Sequence, residues 1–278
     1  MSRYENYSRV ARHYDVSRRA VGVEIIAGCL AQGAPLAEQH LLDAGCGTGN
    51  YAQALLAHVG RISAVDLNAR MLARARAKCG ATGRIDFHQA AIDALPFADA
   101  TFDGVMVNQV LHHLDLDAGA NYPAYRRVFA EFARVLKPGG ALVINTCSRM
   151  QLRRGFWYYR LIPEAASAMR ARHAPLKILR RLLDDASLDW QSRIAPLDAL
   201  MQGDAYFNPR GPLDESWRNG DSIWSTVSAP ALSAACAQIT ALDRRNKLRA
   251  YMQKQDAPRR HIGQLSFLYT RRRPTTAI

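Results

Sequence analysis

Along the first half of the chain, short apolar runs alternate with stretches whose apolar residues recur every three or four positions. Runs of the first kind read as strands and stretches of the second as helices, and their alternation predicts a parallel sheet wrapped by helices. His40-Leu41-Leu42-Asp43, Arg61 to Asp66, Ile85 to Gln89, Phe102 to Gln109 and Ala141 to Thr146 read as five strands. Between them, Ala69 to Cys79 places Met71, Leu72 and Ala75 on one face, with Asn68 as its cap. Tyr122 to Leu136 is a second helix, and Lys137-Pro138-Gly139-Gly140 is its stop.

Upstream, residues 3 to 32 read as two helices. Tyr4, Tyr7, Val10, Ala11 and Tyr14 form an apolar stripe. Val21, Ile25, Ile26 and Leu30 form the next, with Ser17 as candidate cap and Gly33-Ala34-Pro35 as its end. Beyond Cys147 the pattern changes. Residues 149 to 183 read as helices with a basic face, Leu188 to Ile194 as a sixth strand, 229 to 257 as helical, and Gly263 to Tyr269 as a closing strand. The stretch from Tyr206 to Trp224 carries Tyr206, Phe207, Trp217 and Trp224. It is too long and aromatic for a plain connector, and long ordered loops are often functional.

Composition narrows the class. The 278 residues suit one large domain, or one domain with an elaborated lid. No run approaches the roughly 18 apolar residues of a membrane span, and the polar, tyrosine-rich start is unlike a signal peptide. The five cysteines are scattered, with no C-x-x-C pair, so neither metal site nor redox pair is expected. An odd, dispersed set suits reduced thiols in a cytoplasm. The net charge of +13 is uneven: from Arg149 onward there are 22 Lys and Arg against 11 Asp and Glu. That basic half suits an anionic substrate, a nucleic acid, a membrane surface or a solvated arginine-rich face.

The candidate chemistry centres on Asp43-Ala44-Gly45-Cys46-Gly47-Thr48-Gly49, a glycine turn between a strand and a helix. Such turns let a cofactor approach the backbone at the carboxyl edge of a sheet. The dinucleotide fingerprint G-x-G-x-x-G would need glycine at Asn50, one residue beyond Gly49, and has no acid at Asp43. Asp-x-Gly-x-Gly-x-Gly resembles instead the first motif of the class I S-adenosylmethionine (SAM) dependent methyltransferases. Val65-Asp66-Leu67-Asn68-Ala69-Arg70-Met71-Leu72 resembles their second motif, and Arg134-Val135-Leu136-Lys137-Pro138-Gly139-Gly140 a later one. Leu111-His112-His113-Leu114 after the fourth strand resembles UbiE-like and other small-molecule methyltransferases. The likeness is strong over the first 148 residues and fades afterwards.

The resemblance implies an α/β fold: a Rossmann-like, seven-stranded, doubly wound sheet with an antiparallel last strand. It implies an N-terminal helical lid over 1–35, a SAM-binding core over 36–148, substrate-pocket and lid elements with strand 6 over 149–260, and a closing strand with a basic tail over 261–278. It implies SAM as cofactor, held by Asp43, Gly45, Cys46, Gly47 and Gly49, by Asp66 on the ribose with Leu67 and Met71, and by Ala91, Ile92 and Asp93 at the adenine. Ala91 departs from the family's aspartate there, which leaves backbone groups and Asp93 for the adenine. Asn108 stands where the methionine moiety and the acceptor meet. His112 and His113 are candidate bases, or else hydrogen-bonding residues that hold the loop. Tyr7, Tyr14, His113, Tyr206, Trp217 and Trp224 are candidate substrate contacts.

The expected reaction is methyl transfer to a small molecule, through oxygen, nitrogen, sulfur or carbon. A nucleic-acid methyltransferase is the alternative the basic half allows, although Asn108-Gln109-Val110-Leu111 lacks the Asn/Asp-Pro-Pro-aromatic motif of base-amine enzymes. A non-catalytic SAM-binding regulator is the third reading, with the departure at Ala91 as its support.

Overall fold

In the computed structural model, which describes residues 20–274, every segment read as a strand pairs into one sheet. The strands are β1 (His40–Ala44), β2 (Arg61–Asp66), β3 (Ile85–Gln89), β4 (Phe102–Asn108), β5 (Leu136–Thr146), β6 (Leu188–Ile194) and β7 (Ser266–Arg272). Their order is β3-β2-β1-β4-β5-β7-β6. β1 to β5 run parallel, and β7 lies antiparallel between β5 and β6. The order reverses at β1 and β4, so their carboxyl ends open a crevice, the usual ligand site of an open α/β sheet.

Alternation along each strand divides the core between two faces. Leu41, Met106 and Val143 pack on one side, with α1 (Val23–Leu30), α2 (Asn50–Leu55) and α3 (Ala69–Cys79). Leu42, Val105, Val107, Leu142 and Ile144 pack on the other. Here α4 (Pro123–Val135) buries Tyr125, Val128, Phe129 and Phe132, a stripe at helical spacing, and α7 (Leu176–Asp185) buries Leu179, Leu182 and Leu183. Removing one such ring, as in Phe129→Ala, would cost about 3–5 kcal/mol through lost burial and a cavity.

Three boundaries differ from the sequence reading, the first being β7, which runs from Ser266 to Arg272 and not from Gly263 to Tyr269. β5 begins at Leu136, not Ala141: Leu136 is fully buried and pairs with Phe102, and the ladder shifts register over Lys137–Gly140 before Gly104 pairs with Ala141. Residues 229–257 form two helices, α9 (Ala229–Arg244) and α10 (Leu248–Asp256). Asn246 at φ 54° breaks them, with the Lys247 amide donating to the Leu242 carbonyl, a left-handed end that asparagine tolerates. Ser17 and the stripe carrying Tyr7 and Tyr14 lie outside the described residues.

The second half adds α5 (Arg149–Arg154), α6 (Pro163–Ala171), the short α8 (Glu215–Arg218) and α11 (Arg259–Ile262). Ser148 caps α5 in a capping box with Gln151. Gln151 also donates to the carbonyls of Ile262 (2.9 Å) and Leu265 (2.6 Å), tying α5 to the approach to β7.

Candidate active site

The glycine turn crosses the carboxyl end of β1. Gly45, Gly47 and Gly49 have φ of 79°, 55° and 81°, the left-handed region in which only glycine is unstrained. The turn is held by β2 and not by Asp43: the amides of Gly45 and Cys46 donate to the Val65 carbonyl (2.8 and 2.9 Å), and that of Gly47 to Asp66 Oδ2 (2.8 Å). Asp66 Oδ1 accepts from the Asn68 amide (2.8 Å), and Asn68 caps α3 as its sequence position predicts. Each Asp66 oxygen keeps a lone pair for a ligand hydroxyl. Burial raises the Asp66 pKa, against the pull of those two amides.

Asp43 is 1% exposed. The Ala52 amide on α2 donates to its carboxylate, and Oδ2 has no partner. Burial, reinforced by the charge of Asp66, pushes its pKa up to about 7. Asn108, at the end of β4, also has both side-chain polar atoms buried and unpartnered. Buried polar groups are almost always satisfied, so these two mark positions shaped for something other than the protein itself.

Two clefts share this edge and meet at Gly45, Gly47, Asn108 and Gln109. The larger, about 300 Å³, is lined by Asp66, Leu67, Met71, Ala91, Ile92, Asp93 and His113 among others. Leu67 is 46% exposed, an apolar side chain offered to this cleft beside Met71 and Ile92. Asp93 accepts an ion pair from Arg127 at 3.2 Å, which orients its carboxylate. The smaller cleft, about 70 Å³, is lined by Asp43, Cys46, Thr48, Asn50 and Tyr51, and by Asn145, Met201 and Leu265.

Several of these were not read from the sequence. Tyr51, on α2, accepts from the Asn145 amide (2.8 Å) and donates to the Val21 carbonyl (3.1 Å). Asn145, 1% exposed at the end of β5, also accepts from Gln109 Nε2 (3.0 Å), and its carbonyl accepts from the Gln109 amide (2.8 Å). Gln109 is thereby held at φ 56°, backbone strain of the kind that gathers at functional sites. A polar residue closing the buried run Ala141 to Ile144 was the signal for Asn145. Met201 and Leu265 arrive from distant segments and carry no local signal.

The two histidines part. His113 lines the larger cleft, whereas His112 is 9% exposed and lines neither. Its ring stacks on His173 (4.9 Å, 11°), whose pKa burial lowers to about 4.

The aromatic candidates Tyr206, Trp217 and Trp224 line neither cleft. They pack with Trp157, Tyr158 and Tyr159 in an aromatic extension of the core that holds Leu41, Met106 and Val143. Tyr206 donates to Asp256 (2.6 Å), Tyr158 to Asp221 (2.6 Å), and Trp217 Nε1 to the Ala205 carbonyl (2.7 Å). An aromatic-rich stretch serves a core as readily as a pocket, and these rings are buried by one another.

Among the described residues no His, Cys, Asp and Glu cluster suits a metal ion, and no helix is long and apolar enough to cross a membrane. Residues 42–144 match the family described as methyltransferase domain. A demethylmenaquinone methyltransferase of Clavibacter sepedonicus is 34% identical over 129 residues, 45% of this chain and 49% of that protein. The chain spans about half the length of the first curated relatives it matches, 58% for an uncharacterized mycobacterial methyltransferase. A putative methyltransferase from an antibiotic biosynthesis pathway of Anabaena variabilis superposes with a TM-score of 0.70 at 21% identity, over 89% of this chain and 95% of that one. A geranyl diphosphate C-methyltransferase of Streptomyces coelicolor, solved with S-adenosyl-L-homocysteine, does so at 0.55 and 15% identity, over 90% and 74%.

Proposed function

We propose that this chain, whose residues 42–144 form a methyltransferase domain of the class I, SAM-dependent kind, transfers a methyl group from SAM to a small-molecule acceptor. The observation that carries the reading is the convergence of Asp66 and of unpartnered Asp43 and Asn108 on the open side of the glycine turn. Their chemistry fits the cofactor. Asp66 would take the two ribose hydroxyls. Leu67, Met71 and Ile92 would flank the purine, with Ala91 and Asp93 at its edge. Asp43 and Asn108, with Thr48 and Asn50, would face the amino-acid end. The chemistry supplied on binding is a methyl group activated by its sulfonium.

The protein's part is alignment and exclusion of water, and orientation supplies most of the rate in such a transfer. The strained turn at Gln109, held by Asn145, fixes the carboxyl end of β4 where donor and acceptor meet. His113, an imidazole on the larger cleft, would take the proton of a protonated acceptor. A small-molecule acceptor is supported by the apolar walls, Val21, Met201 and Leu265, and by the names of the relatives. SAM at 100 times its dissociation constant is expected to stabilise the protein by about 2.7 kcal/mol, read as a rise in melting temperature. No rise would end the cofactor reading. Incubation with labelled SAM and a metabolite extract, followed by mass identification of the product, then names the acceptor.

A further inference from the structure

The basic excess of the second half collects on elements packed against one another. Arg244, Arg245, Lys247 and Arg249 crowd the junction of α9 and α10, all exposed, and Lys254 follows on the exposed face of α10. The short turn Trp157–Leu161, which packs on α10, adds exposed Arg160. Exposed Arg153 and Arg154 come from α5 and Arg260 from α11, two helices in contact. Among the described residues none of these nine cations has a carboxylate within ion-pairing distance. Along α9 and α10 the acids nearest in sequence are already engaged, Asp243 by Arg210 at 2.9 Å and Asp256 by Arg259 at 2.7 Å, whereas Glu164 on α6, nearest to Arg160, is exposed and, among the described residues, in no ion pair.

Apolar side chains stand out of this region. Five of the six exposed large apolar residues of the described chain lie between 150 and 213, which puts them in the basic half. Phe207, 44% exposed, lies under the Arg259 guanidinium (5.6 Å), and the Leu197 carbonyl accepts from the same group while its side chain is 48% exposed. Met150, 50% exposed, shares α5 with Arg153 and Arg154.

We infer that this face docks on an anionic membrane surface. Unpaired cations with single, protruding apolar side chains among them are the features that hold a protein at a charged lipid interface, where each cation and each inserted apolar group contributes separately. A nucleic acid fits less well. Its single strands would need a row of stacking rings, and Phe207 is the one exposed large aromatic of the described residues. The docked face also borders the smaller cleft. Leu197 precedes Met201 in the same loop, and α11 ends three residues before Leu265, both cleft-lining. A bilayer-dissolved acceptor would have a short path to it.

The test uses the full chain and vesicles of phosphatidylcholine, with or without 30% phosphatidylglycerol, at two salt concentrations. Binding is expected to the anionic vesicles and to weaken with salt. Arg244→Glu with Arg249→Glu should lower vesicle affinity by at least about 20-fold, at about fivefold per charge removed. Lys177→Glu with Arg180→Glu, the same charge change on exposed positions of α7, should lower it far less. Phe207→Ser should lower the part that survives high salt. The melting temperature and its rise with SAM should be kept in all of them, which separates this surface from the cofactor site. Equal losses in both charge pairs, equal affinity for neutral vesicles, or no binding at low salt would each overturn the proposal. So would displacement of the protein from vesicles by RNA at equal phosphate concentration.

Discussion

Asp43 and Asp256 are both nearly fully buried carboxylates, one in each half of the chain, and the protein treats them in opposite ways. Asp256 receives two bonds from Arg259 (2.7 and 2.9 Å) and one from Tyr206 (2.6 Å). Asp43 receives one backbone amide and keeps Oδ2 unpartnered. The difference separates a core from a site. Around the two buried acids of the aromatic half, polar side chains pair with one another, Tyr206 with Asp256 and Tyr158 with Asp221, although Trp224 Nε1 has no partner. On the carboxyl edge of β1 and β4, Asp43 and Asn108 are left open at the same spot. An uncompensated buried polar atom costs about 1–3 kcal/mol, so a fold that holds two such residues beside a glycine turn gives up stability that a ligand bound there would return.

The contrast is sharpest in the response to losing the acid. Asp256→Ala should destabilise by about 3–5 kcal/mol, since it strands Arg259 in the interior and removes the acceptor of Tyr206. Urea unfolding reads it, and the rise of melting temperature with SAM should survive. A loss under about 1 kcal/mol would mean that the second half is not held as a core. Asp66→Ala should do the reverse. Two charge-assisted hydrogen bonds to ribose are together worth about 3 kcal/mol, so SAM affinity should fall about 100-fold. Stability should drop by only about 1–2 kcal/mol for the lost bonds to Gly47 and Asn68. Calorimetric titration and unfolding of the same variant give both numbers.

That Asp66 and the glycine turn were legible and Tyr206 was not has a physical reason. Asp43, Gly45, Gly47, Gly49 and Asp66 sit at strand ends fixed by periodicity, so one-dimensional spacing places them in space. Asn68 showed its role as a cap in the same way. Tyr51, Asn145, Met201 and Leu265 form one wall from four distant segments, and only the folded chain brings them together. Tyr206, Trp217 and Trp224 lie away from both clefts for a different reason. An aromatic ring is equally suited to a core and to a pocket, and what decides is what its faces pack against, as Tyr206 and Trp224 both pack on Tyr158. The histidine pair shows both limits: adjacent in sequence, His113 faces the cleft and His112 stacks on His173.

Proton linkage gives a smaller effect on the same comparison. Burial and the charge of Asp66 hold the Asp43 pKa at about 7, above its ordinary value of 3.8. A raised carboxyl favours the folded state while protonated, so this contribution is present at low pH and is lost as pH rises from about 4 through 7. A cationic ligand reverses the preference by favouring the carboxylate. SAM affinity should therefore rise up to about tenfold between pH 6 and 8, with release of a proton. The proton shows as a dependence of the calorimetric enthalpy on buffer. Asp43→Asn should remove both the slope and the buffer dependence. Asp256→Asn should leave them, since Asp256 lines neither cleft.

The smallest effect divides the three glycines. A Cβ on Gly45 would sit 2.6 Å from Val110, and one on Gly49 3.2 Å from Ala75, so these two are glycine because the protein itself fills the space. A Cβ on Gly47 would meet nothing within 4 Å, on the side where both clefts open. Gly47→Ala should thus cost about 1–2 kcal/mol, the strain of a left-handed alanine, with no clash added. Gly45→Ala should cost more, since Val110 must move as well. Their ligand responses should cross. If the open space above Gly47 belongs to the cofactor, Gly47→Ala loses SAM affinity out of proportion to its stability. If SAM stabilises Gly47→Ala as much as the native chain, the ligand approaches from elsewhere, and the unpartnered Asp43 no longer marks a cofactor site.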